Sequence, residues 1–148
     1  MSYIPFYEVA ELLAVLPPAS QTTEQQSGYV DMAKYERIFA ILSVGAMTTN
    51  ATLDVDVEIT TDGEAAGLHT LKSITQLTEA GGDGDQEIII EIRAEELSKP
   101  SGAPSQEYQY VNIEVTPAVA AVILGLHVFG YAPRYAPVPT TLWQEIVG

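Results

Sequence analysis

The clearest alternation of apolar and polar positions runs along residues 51–59 (ATLDVDVEI), where Leu53, Val55, Val57 and Ile59 alternate with Thr52, Asp54, Asp56 and Glu58. A period of two is that of a β-strand with one face in a core and the other in water. Residues 86–97 (QEIIIEIRAEEL) repeat the pattern, with Ile88, Ile90 and Ile92 on one face and Ile89, Glu91 and Arg93 on the other. Four isoleucines in five positions predict a central strand whose second face is partly wet. Along residues 35–44 (YERIFAILSV), Ile38, Ala40, Leu42 and Val44 oppose Tyr35, Arg37, Phe39 and Ile41. Both faces are largely apolar there, which predicts a central strand buried on both sides for part of its length.

Turn formers punctuate the rest. Residues 28–31 predict a short strand, residues 32–34 a turn, and Gly45 with Ala46 a second turn. Asp62-Gly63 opens a loop, and strand character resumes over residues 67–78 around Leu71 and Ile74. Residues 81–85 (GGDGD) and 98–105 (SKPSGAPS) bracket the isoleucine strand. Residues 108–116 and 119–128 follow as strands, the latter expected to break at Gly125. Seven or eight short strands, with no sustained helical period, predict an all-β antiparallel sandwich. Residues 1–27 read differently: aromatic anchors around Pro5, an apolar run over residues 9–16, Pro17-Pro18, then a polar link. They predict an N-terminal arm that either covers an edge of its own sheet or reaches a neighbour. Residues 28–148 then form the sandwich domain, with an extended, proline-limited tail from Tyr131 and one helical turn or closing strand around Trp143.

Composition narrows the function classes. A chain of 148 residues buries a working core without disulfides or metal, and the absence of cysteine removes thiolate chemistry altogether. Twenty acidic residues against six basic ones give a formal charge of −14, which repels phosphate backbones, so no nucleic-acid partner is expected. Residues 45–70 carry five acids and no Lys or Arg, and residues 79–96 seven acids with Arg93 alone. That balance suits a soluble, densely displayed surface, or a docking face for a basic partner. No run of eighteen apolar residues exists, so no membrane partner is expected. The apolar run over residues 9–16 lacks a basic flank and is interrupted by Glu11, which argues against a signal peptide.

Candidate chemistry is thin. Asp54, Asp56 and Glu58 share a strand face at roughly 7 Å intervals, a spacing that carboxylate-pair glycosidases use and that strand alternation also explains. Asp83, Asp85 and Glu87 fall short of a calcium-loop pattern, and a plain turn accounts for them. His69 and His127 have no histidine partner at metal spacing. No nucleophile elbow or phosphate-binding glycine loop appears. Neither catalysis nor a cofactor or metal is expected.

Residues 28–35 (GYVDMAKY), 44–47 (VGAM), 74–78 (ITQLT), 81–86 (GGDGDQ), 88–97 and 133–137 (PRYAP), in that order, resemble the capsid decoration (cement) proteins of tailed bacteriophages. The likeness spans roughly residues 28–137, and the Tyr3-Ile4-Pro5 start is in keeping with it. It implies a structural virion protein: a sandwich on the outside of the head, made in the host cytoplasm, binding the major capsid protein and forming a homotrimer. Tyr3, Ile4, Pro5, Phe6, Tyr7, Tyr131, Arg134 and Tyr135 are the expected capsid or subunit contacts. The alternative is a phage tail or fibre-attachment sandwich, or a carbohydrate-binding module using Tyr108, Tyr110, Tyr131 and Tyr135 as a platform.

Overall fold

The computed structural model describes residues 6–64, 67–98, 100, 102–104 and 106–134. Two antiparallel sheets pack as a β-sandwich. Sheet A runs β1 (Ala10–Gln21), β10 (Val122–Pro133), β4 (Tyr35–Met47) and β8 (Gln86–Arg93), in that order across the sheet. Sheet B runs β2 (Gln25–Gln26), β9 (Tyr110–Ala118), β5 (Thr52–Thr60) and β6 (His69–Ser73). Two short strands complete it: β3 (Val30–Asp31) also pairs with β9, and β7 (Leu77–Thr78) with β5. The two-residue strands β2, β3 and β7 take the total past the seven or eight expected.

The core is the sum of the inward positions. Ile38, Ala40, Leu42 and Val44 of β4, Ile90 and Ile92 of β8, and Leu124, Leu126 and Val128 of β10 face Leu53, Val55, Val57 and Ile59 of β5 and Val111, Ile113 and Val115 of β9. Each fully buried aliphatic side chain contributes about 1.5–3 kcal/mol relative to exposure, which makes the alternation the main determinant of the fold.

Several expectations are corrected. The isoleucine strand β8 is not central; it pairs with β4 alone among the sheet A strands and forms one edge. Its run also ends earlier than expected, at Arg93. Residues Ala94–Ser98 make one helical turn, α2, and the Glu96 carboxylate accepts from the Arg93 N–H at 2.9 Å to cap it. β4 continues through Gly45 and Ala46 to Met47, and the turn falls at residues 48–51, with Asn50 at φ 65 and Ala51 N–H donating to Thr48 O. β4 is an interior strand of sheet A as expected, but its second face is not buried along its length: Phe39 and Ile41 are half-buried and Arg37 exposed, and Tyr35 at its start is buried.

Of the two courses left open for the N-terminal segment, residues 10–21 take the first: they cover an edge of their own sheet as strand β1, paired with β10 from Ala10↔Tyr131 to Gln21↔Val122. Pro17 and Pro18 do not stop it. They fall where the register shifts between Leu16 and Ala19, on an edge strand that tolerates missing N–H donors. Ahead of β1, Phe6–Val9 form a four-residue helical turn, α1. Gly125 does not break β10 either: a Cβ there would lie 3.1 Å from Pro18 Cγ, so glycine is what lets β1 cross the strand closely.

Candidate interaction face

The outer surface of sheet A is assembled by register. Val15 lies beside His127, His127 beside Ile41, and Ile41 beside Ile89, which makes one row across all four strands. The next row sets Phe129 beside Phe39 and Phe39 beside Glu91, and the one after sets Tyr131 beside Arg37 and Arg37 beside Arg93. On the far side of the isoleucine row, Gly125, Ser43 and Glu87 stand together. The Phe39 and Phe129 rings stack with centroids 4.8 Å apart. Phe6 meets Phe129 edge-on at 6.0 Å, and His127 lies parallel to it at 6.5 Å.

Nothing among the described residues covers this surface, and its middle is largely apolar. Of the seven large hydrophobic side chains exposed among the described residues, Phe6, Val15, Ile89, Ile123 and Tyr131 belong to it, with Ile89 72% exposed. Clustering of this kind, rather than scattered exposure, marks contact surfaces. Phe6, Arg37, Phe39, Ile89, Glu91 and Tyr131 enclose a shallow cleft of about 290 Å³. Its charges are arranged by position. Glu91 bridges Arg37 at 3.5 Å and Arg93 at 3.3 Å, and Glu95 reaches Arg93 at 3.7 Å. At the opposite end Glu87 accepts from Ser43 Oγ at 2.6 Å.

Of the contact residues expected from the sequence, Phe6 and Tyr131 come together in that cleft. Arg134 lies beyond it, exposed, with its N–H on Lys34 O at 2.9 Å, and lines a second cleft with Arg37 and Arg93. Tyr3, Ile4, Pro5 and Tyr135 lie outside the described residues, as do the side chain of Tyr7 and the tail beyond Arg134. Ile41, Ile89, Phe39 and Phe129 were not singled out as contact residues. For Phe39, Ile41 and Ile89 the signal is in the sequence, since both faces of residues 35–44 and 88–92 carry large apolar side chains; Phe129 lies outside those runs.

The other candidates disperse or are already bonded. Asp54 accepts from Gln76 at 2.9 Å, Asp56 from Ser73 Oγ, and Glu58, buried rather than exposed, from Asn112 Nδ2 at 3.0 Å. Asp56 stands directly opposite Glu114 on β9. Burial raises the Glu114 carboxyl above the ordinary value, and the charges of Glu58, Glu24 and Asp56 add to it against a hydrogen bond from Gln26. Asp83 closes its own turn by accepting from Thr78 N–H at 2.9 Å, while Glu87 is held by Ser43. Among the described residues no three His, Asp or Glu groups gather to hold a metal ion. Tyr108 is buried with its hydroxyl on Gln106, Tyr110 belongs to sheet B and Tyr131 to sheet A, so these three do not share a platform.

No protein-family model matches the chain, and no curated protein matches it. Among solved structures it is similar to a chain of infectious bursal disease virus, Gt strain, at TM-score 0.44 and 9% identity, over 86% of this chain and 34% of that one. For the Gx strain of the same virus the values are 0.40 and 12%, over 86% and 32%. For broad bean stain virus they are 0.33 and 9%, over 81% and 66%. The chain therefore spans about a third of the length of the bursal disease virus chains. Likeness this loose does not bear on function.

Proposed function

We propose that this chain is a structural virion protein of a tailed phage, one that decorates and stabilises the head by binding the major capsid protein, and that it performs no catalysis. The observation behind this reading is the exposed outer surface of sheet A, where an aromatic and aliphatic patch rimmed by Arg37, Arg93 and Glu87 suits contact with protein. The resemblance of residues 28–137 to decoration proteins supplies the kind of particle. In this reading the protein is made in the host cytoplasm and ends on the capsid surface. Phe6, Tyr131 and Arg134, with Tyr3, Ile4, Pro5, Tyr7 and Tyr135, contact the shell or neighbouring copies.

The test is co-sedimentation of the purified chain with undecorated phage heads and, separately, with tails. Saturable binding to heads that raises their resistance to heat or low salt is expected. Binding to tails alone, or to neither particle, overturns the reading.

A further inference from the structure

We propose that the outer surface of sheet B is a docking face for an extended protein segment that carries Lys or Arg at alternate positions. This is the sheet opposite the one on which the decoration reading rests, and the docking face is independent of it. The register of two strands builds it. With Leu53, Val55, Val57 and Ile59 in the core, Asp54, Asp56 and Glu58 follow one another on the outward side of β5. Across on β9 they face Thr116, Glu114 and Asn112 in turn. Like charges directly opposite each other, as Asp56 and Glu114 are, destabilise a strand pair. Glu24 joins them, sharing the side-chain amide of Gln26 with Glu114 at 2.8 and 3.2 Å.

Among the described residues only neutral groups bond to this acidic column. Gln76 donates to Asp54, Ser73 to Asp56, Asn112 to Glu58, and Gln26 and Thr116 to Glu114. The acids of sheet A and α2 differ: Glu91, Glu95 and Glu96 take Arg37, Arg93 and Lys72. In the strands of sheet B the only base is Lys72, and it reaches away from the column to Glu91 O and Glu96. Glu58 is 7% exposed, so its carboxylate is largely out of water with one neutral partner. Two residues further along the same face, the Thr60 hydroxyl is wholly buried and has no hydrogen-bond partner among the described residues. Buried carboxylates and hydroxyls are ordinarily paired. A cation that donates N–H bonds completes both.

The spacing selects the kind of cation. These groups do not converge on a point where a metal ion would sit. They are strung along β5 at intervals of about 6.8 Å. Alternate side chains of an extended segment recur at the same interval, so a segment laid along β5 sets one basic residue over Asp54, one over the Asp56–Glu114 pair and one over Glu58. Over the pair, a guanidinium or ammonium neutralises two carboxylates that repel each other. At Glu58 it also gives an N–H to the Thr60 hydroxyl. The chain's formal charge of −14 draws such a segment in.

Isothermal titration of the full chain at low salt with two capped peptides of equal charge tests this. One has four Arg-Thr repeats; the other has the same residues as a block of arginines followed by a block of threonines. The alternating peptide should bind at least about fivefold more tightly than the block. Asp56→Asn and Glu114→Gln should each weaken its binding about fivefold. Neither should lower the melting temperature, since each removes a like-charge contact. Thr60→Val should weaken binding about threefold, as for one lost hydrogen bond. Glu36→Gln, which removes the same charge from an exposed position in sheet A, should change it less than about twofold. Equal affinity for the two peptides, no binding at low salt, full affinity in Thr60→Val, or equal losses in Asp56→Asn and Glu36→Gln overturns the proposal. Amide chemical shifts of the unmodified chain give a reading without variants. Changes gathered at residues 54–60 and 112–116 support the docking face; changes spread over both sheets, or gathered on sheet A, overturn it.

Discussion

Lys72, on β6 of sheet B, donates from Nζ to the carbonyl oxygen of Glu91, on β8 of sheet A, at 2.8 Å. The same ammonium pairs with Glu96 at 2.8 Å. One side chain thus ties the two sheets together where sheet A ends, and occupies a backbone acceptor that an edge strand would otherwise offer to another chain. Lys72→Ala should lower stability by about 0.5–1 kcal/mol, because the pair is partly exposed and screened. Its clearer effect is faster aggregation on heating, measured by light scattering. Burial alone would raise the Glu96 carboxyl, but hydrogen bonds from Lys72 and from the Arg93 N–H, together with their charges, hold it below the ordinary value. Its contribution is present above the unfolded value and is lost as pH falls through the folded one. In the variant the Lys72 share of that acid-side loss should disappear.

Glu114 works in the opposite sense. Its carboxyl is raised, so the folded chain holds that proton more tightly than the unfolded chain does. The associated stability is complete below the unfolded value and is lost as pH rises through the folded one. Glu114→Gln should therefore raise the melting temperature at pH 7.5 and have little effect near pH 4. The gain is about 0.2–1 kcal/mol, as for like charges facing across a strand pair. A gain independent of pH would mean that packing, not burial of the Glu114 charge beside Glu58, Glu24 and Asp56, is responsible.

Ile89 and Ile90 are neighbours with opposite fates. Ile90 is buried and Ile89 projects from sheet A. Ile90→Asp should prevent folding, at about 4 kcal/mol or more against a total of about 5–15 kcal/mol. Ile89→Asp should leave the melting temperature within a few degrees of the parent. Equal losses would mean that the two faces of β8 have been exchanged.

Gly130→Ala places a Cβ 2.6 Å from the Tyr35 ring, closer than the packing allows. A destabilisation of about 1–3 kcal/mol is expected in urea unfolding. Tyr35→Leu in the same chain should recover part of it if the ring is the cause.

The inward alternation of Leu53, Val55, Val57 and Ile59 was legible because nothing competes with it: acids and a threonine fill the other face. β8 was misplaced because four isoleucines look central, whereas Ile89 is apolar on a surface open to a partner. β1 was hidden by its prolines, which an edge tolerates and an interior strand does not. The interaction face was the least legible part. Phe6, Phe39 and Phe129 are far apart in the chain, and only the β10–β4 register and the approach of α1 bring their rings together.

Deleting residues 1–21 should not leave a folded remainder. It strips β1 from β10, opens an edge and uncovers core around Ala14 and Leu16. Insoluble protein, or loss of the sheet signal in circular dichroism, is expected. A soluble, folded truncation would mean that β1 is dispensable to the sandwich.

The pairing of Ala10 with Tyr131 also has a mechanical side. Tension applied between these two positions would draw β1 and β10 apart from one end and break their hydrogen-bonded pairs in sequence, like a zip. Tension between Gln21 and Tyr131, along the same two strands, would load the whole ladder in shear. Anchored through the first pair of points, the sandwich yields gradually; anchored through the second, it holds until it ruptures.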